Sequence, residues 1–166
     1  MPVTLTVLEK VAVALTERLE AMIADENDDY QTEVTSVLRL PRNGGEYTPE
    51  HLQILVRQGD DEIDDEQCRP GNPPAIAHRQ TFNLRCHVMT SERDTDVVDS
   101  ISNTFCADVI KCLTAPTNWC QFGSVSYDAT IKSPEPINED GGPDGFNLPI
   151  VIVYRVDENN PYNARS

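Results

Sequence analysis

Residues 81–88 alternate without a break: Phe82, Leu84, Cys86 and Val88 are apolar, while Thr81, Asn83, Arg85 and His87 are polar. A period of two sends one set to a buried face and the other to a wet face. A sheet covered on one side only has this pattern. After a turn at 90–94 the period becomes helical over 96–113, where Val97, Val98, Ile101, Phe105, Val109, Ile110 and Leu113 form one stripe. Thr95 is placed to cap this helix, Asp96, Asp99 and Lys111 suit its dipole, and Pro116 stops it. A half-wet strand feeding an amphipathic helix admits few folds, and the simplest is a two-layer α+β domain.

The rest of the chain supplies the complement. Leu5, Leu8, Val11, Ala12, Leu15, Leu19, Met22 and Ile23 recur at three- and four-residue steps, predicting a first helix over 4–24. Thr6 and Glu9 have capping-box spacing, and the acids of 25–29 end the helix in a solvated loop. Further strands are expected at 33–40, ended by Pro41, at 52–58, closed by Gly59, at 119–132, bent at Gly123, and at 146–156. The run Ile150, Val151, Ile152, Val153 is apolar on both faces, so its strand is central or meets another subunit. Pro149 belongs near the strand start or on a bulge. The expected fold is therefore α+β, with a mainly antiparallel sheet of about five strands and two helices packed on one face. A single domain spans 1–156, followed by an exposed tail over 157–166.

Residues 60–74 stand apart. Asp60, Asp61, Glu62, Ile63, Asp64, Asp65 and Glu66 are followed by Cys68, Pro70, Gly71, Pro73 and Pro74. Such a segment reads as a structureless loop of unusual length that orders only against a neighbour. The formal net charge is −15, and a field of that sign opposes binding to nucleic acid and to anionic membranes. No stretch approaches the ~20 apolar residues of a membrane span.

No chemical signature emerges. The acidic run lacks the glycine of an EF-hand loop, and 138–145 reads as a Gly/Pro turn. The five cysteines are irregularly spaced without Cys-x-x-Cys, which argues against zinc and for synthesis in a reducing compartment. Cys86 and His87 point to opposite faces of one strand, and Cys106 and Cys112 share no helix face. His51, His78 and His87 lack a local catalytic signature, and there is no P-loop, Gly-x-Ser-x-Gly or dinucleotide fingerprint. Arg42, Arg57, Arg69, Arg79 and Arg85 are scattered and read as partners for acids within or between subunits. The expectation is no enzyme, no cofactor and no metal.

The layout resembles the tail terminator (tail completion) proteins of tailed bacteriophages. The resemblance rests on the N-terminal amphipathic helix, the extended segment 33–40, the alternating strand 82–88 leading into a helix, and the ending 148–156 with its short polar tail. It implies a ring, typically a hexamer, at the head-proximal end of the tail. That ring caps the tube and docks the head connector. The implied partners are copies of itself, the tail tube protein and the connector or neck protein, with DNA passing through the lumen unbound. The implied location is the virion, after synthesis in the host cytoplasm. Related neck and tube subunits share the architecture. Candidate interface or lumen residues are Asp60, Asp61, Glu62, Asp64, Asp65, Glu66, Ile150, Ile152, Tyr154 and Tyr162. On this reading, deleting 60–66 leaves the monomer folded and impairs assembly. A different class, an acidic DNA mimic that inhibits a DNA-binding protein, requires carboxylates on a rigid face rather than in a loop.

Overall fold

Thr6 closes the extended N-terminal segment, and its Oγ1 accepts the Glu9 amide at 3.1 Å, an N-cap that starts α1 (Val7–Glu20). The computed structural model describes residues 4–23, 25, 29–42, 44–90, 95–137 and 142–165. The capping box is half made. The Glu9 carboxylate turns to Arg39, whose Nη2 donates to Oε2 at 2.8 Å, and that guanidinium holds Glu9 below the usual carboxylate range. α1 is shorter than expected at both ends, so Leu5 and Ile23 are 40% and 46% exposed rather than part of the buried stripe. α2 (Thr95–Thr114) begins at Thr95, whose side chain, like Ala24, lies outside the described residues. Val97, expected in its stripe, is exposed, while Phe105, Val109 and Leu113 are fully buried.

The strands are β1 (Ser36–Leu40), β2 (Gln53–Ile63), β3 (Ala75–Val88), β4 (Ser126–Ile131), β5 (Glu135–Pro136), β6 (Asp144–Asp157) and β7 (Asn160–Ala164). They form one sheet in the order β1-β2-β3-β6-β4, with β5 and β7 also paired to β6. β1 lies parallel to β2 and every other pairing is antiparallel. The sheet curls into a half-barrel beneath two helices, as an α+β fold of this size predicts. β3 and β6 pair along their whole length, from Ala75 opposite Asp157 to Val88 opposite Asp144.

One cluster makes the core. Val11, Leu15 and Leu19 of α1 and Phe105, Val109 and Leu113 of α2 pack on Ile54 and Val56 of β2, Phe82, Leu84 and Cys86 of β3, and Phe146, Leu148, Ile150 and Ile152 of β6. The sheet residues come from one strand phase, so both helices cover one face. Phe105 meets Phe146 edge-on, with centroids 5.6 Å apart. β6 lies between β3 and β4, with Ile150 opposite both Phe82 and Ile131. That central position accounts for the run apolar on both faces. Ile150 and Ile152 are fully buried and Tyr154 is 3% exposed, so the expected interface role of these three is corrected: they are core. Among the described residues, no helix is long and apolar enough to cross a membrane.

Several boundaries differ from expectation. β2 continues through Gly59 to Ile63, and β3 starts at Ala75, so the two form a long hairpin. The segment before Ser126 is turns rather than strand, with Phe122 buried. Within the expected loop 133–145, β5 pairs with Asn147 and Phe146, and β6 already begins at Asp144. The C-terminal residues are exposed from Glu158 to Asn163, but they turn back as β7 instead of forming a free tail.

Candidate functional site

The acidic segment is the end of the β2–β3 hairpin. A bulge between Gln58 and Asp61 shifts the register, after which Asp61, Glu62 and Ile63 face Gln80, Arg79 and His78. Gln80 fills the bulge, its Nε2 donating to the carbonyls of Gly59 and Asp60 at 3.0 and 3.1 Å. Asp61 hydrogen-bonds His78 Nδ1 at 3.0 Å, and the imidazole stacks on Tyr154 with centroids 5.3 Å apart. Burial, with the Asp61 charge added, pushes the Tyr154 hydroxyl well above its ordinary pKa. Arg79 pairs with Asp64 at 3.2 Å.

Beyond Ile63 the chain is held by its own fold. The Asp64 amide donates to Ala77 O at 3.0 Å, and the Asp64 carbonyl accepts from Gln67 and Cys68 at 3.0 and 3.1 Å. Arg69 and Ala75 exchange two backbone bonds of 2.9 Å. Arg155 donates to Gln67 O at 2.8 Å and lies over the Tyr127 ring at 3.9 Å. The expectation that 60–74 orders only against a neighbour is therefore corrected. Intramolecular pairing orders it, and a 60–66 deletion removes paired strand, so such a deletion no longer separates folding from assembly.

The C-terminal strand shares this anchoring. Arg165 donates to Pro73 O at 3.2 Å and pairs with Asp157, to which Asn163 also donates. The Arg165 and Asn163 hydrogen bonds hold Asp157 below the usual carboxylate range. A depressed carboxylate adds stability above its unfolded pKa of about 3.9 and loses it as pH falls through the folded value. Protection of the Arg165 amide, which donates to Arg155 O at 3.0 Å, should hold at neutral pH and vanish in acid, after correction for intrinsic exchange. Asp157→Asn should remove that protection at neutral pH. Protection indifferent to both would show that the clasp contributes nothing.

On the face away from the helices, Leu40, Leu55, Arg57, Asn83, Arg85, Pro136, Ile137 and Asn147 line a groove of about 440 Å³. Register brings them together: Leu55 faces Arg85, Arg57 faces Asn83, and Arg85 faces Asn147. Asn147 Nδ2 donates to Asn83 Oδ1 at 3.3 Å. Arg57 and Arg85 therefore share a recess that no carboxylate lines among the described residues.

The other histidines and the buried cysteines lie away from this groove. His51 Nδ1 accepts the Met89 amide at 3.1 Å. His87 is buried, bonded to Gln53 at 3.3 Å and stacked on Tyr47. Burial pushes the Cys86, Cys106 and Cys112 thiols up, so they stay protonated and unreactive. Among the described residues, no three His, Cys, Asp or Glu side chains group as metal ligands. Of the turn read at 138–145, residues 138–141 lie outside the described residues.

Of the candidate interface residues, Asp60, Asp61, Glu62, Asp65, Glu66 and Tyr162 are exposed, and Asp64 is half-buried against Arg79. The groove was missed by sequence reasoning. Its signal was present in the polar phase of 81–89, but the β2 register was not. The chain matches no protein-family model and no curated protein.

Proposed function

We propose that this chain is a structural subunit that works in a ring of its own copies, as a tail terminator capping a phage tail tube and joining it to the head connector. One observation carries the reading: the sheet face away from the helices pairs a cationic recess with an exposed acidic hairpin. Both helices cover one side of the sheet, while the opposite side keeps a recess holding Arg57 and Arg85. The hairpin beside it exposes Asp60, Glu62, Asp65 and Glu66, with Ile63 60% exposed among them. Surfaces of opposite charge on one chain suit a repeating head-to-tail contact. The net charge of −15 suits a lumen through which DNA moves without adhering. Another neck or tube subunit of this fold would use the same surfaces. Sedimentation velocity over a wide concentration range, with electron microscopy of the purified chain alone and mixed with tail tubes, tests the proposal. Closed rings that bind tube ends are expected, and a monomer at every concentration would overturn it.

A DNA mimic is the second reading, favoured by one observation. Asp60, Asp61 and Glu62 lie on a paired strand, which supplies the rigid acidic array that a loop would not. A monomer that displaces DNA from a DNA-binding enzyme would select this reading.

A further inference from the structure

We infer that the groove on the open sheet face is a receptor for the acidic hairpin end of a second copy of this chain. The inference rests on the ring reading and names the contact that would build it.

Its first support is the half-buried Arg57, whose guanidinium makes no hydrogen bond or ion pair among the described residues. A partly desolvated cation without a carboxylate is unfavourable, and a fork of N–H donors fits a carboxylate closely. Among the described residues, no acid lines this groove. The second support is the hairpin itself. Asp61 and Asp64 are occupied by His78 and Arg79, whereas the carboxylates of Asp60, Glu62, Asp65 and Glu66 have no partner among the described residues. The third is the mixed character of both surfaces. Half-buried Ile137 lies beside the arginines of the groove, over a floor of already buried Leu40 and Leu55, and the hairpin carries exposed Ile63 between acids. An apolar anchor ringed by charge pairs is the usual composition of an interface centre. Each copy carries one groove and one hairpin, so a head-to-tail contact leaves one of each for the next copy, and a rotation that closes makes a ring.

A charge exchange tests this. Arg57→Glu places an acid in the groove, and Asp65→Lys with Glu66→Lys places bases on the exposed hairpin end. In sedimentation velocity each variant alone should associate roughly thirtyfold or more weakly than wild type, at unchanged circular dichroism. An equimolar mixture should assemble again, because each chain then offers a surface complementary to the other. If Arg57→Glu fails to fold, Arg57→Gln carries the groove arm and must weaken association. Wild-type rings with undiminished variants would overturn this contact and leave the ring reading standing. Variants that dissociate but whose mixture stays monomeric would also overturn it. A monomeric wild type would remove the ring reading and this contact together.

Discussion

Gly145→Ala is expected to lower the unfolding free energy by about 3–5 kcal/mol, as backbone strain and a steric clash combine. Gly145 opens β6 opposite His87, at φ +127°, a conformation that side-chain-bearing residues rarely adopt. A Cβ there would stand 2.0 Å from Cys86 O and 3.2 Å from the Val88 amide. Both obstacles are backbone of β3, so neither swings aside as a flexible side chain would. Moving β3 would misalign Cys86 against Phe146 and Leu84 against Leu148, inside the core. Gly44 supplies the control: its φ is +105°, but an added Cβ meets nothing within 4 Å among the described residues. Gly44→Ala should therefore lose only the strain, about 1–2 kcal/mol. Urea unfolding followed by circular dichroism measures both. Equal losses at the two sites would mean that β6 does not start this close against β3.

The two-layer plan was legible because periodicity is a local property. Phe82, Leu84, Cys86 and Val88 all reach the core, as their alternation required, and the α2 residues Phe105, Val109 and Leu113 meet them there. Element ends were less legible, because tertiary pairing overrode local preference. Gly59 and the acids after it have poor strand propensity. Even so β2 runs through them, because β3 offers a partner strand and His78 and Arg79 answer two of the carboxylates. β7 escaped notice for the same reason. Asn160, Pro161 and Asn163 disfavour strand, and the contacts holding β7 come from Asp157, Pro73 and Arg155.

The acidic half of the candidate surface was visible as composition, but its cationic half was not. Asn83 and Arg85 do lie on the face away from the helices, but half-buried rather than wet, and His87, expected in water beside them, is fully buried. What makes Asn83 and Arg85 a recess is Arg57 and Leu55 of β2 on one side and Asn147 of β6 on the other. That is information about register between segments, and in a single sequence nothing local fixes it when a bulge intervenes.

Ile150→Ala is expected to destabilise the isolated chain by about 2–5 kcal/mol, the range for truncating a fully buried aliphatic side chain. The prediction separates two meanings of one sequence feature. A strand apolar on both faces is either central or covered by a neighbour, and the second meaning leaves monomer stability almost untouched. Ile150 is fully exposed to neither solvent nor a neighbour: its relative accessibility is 0%, with Phe82 across one ladder and Ile131 across the other. Removing its branched end opens a cavity beneath the helices that rigid β3 and β4 backbones fill poorly. Tyr162, 49% exposed, is the contrast, since Tyr162→Ala should stay within about 0.5 kcal/mol of wild type. A ring contact at Ile150 would instead give a variant with the wild-type urea midpoint as a monomer and a weaker assembly. Loss of the midpoint in dilute monomer places the residue in the core and leaves the outward surfaces, the acidic hairpin and the arginine groove, as the part of the chain through which copies associate.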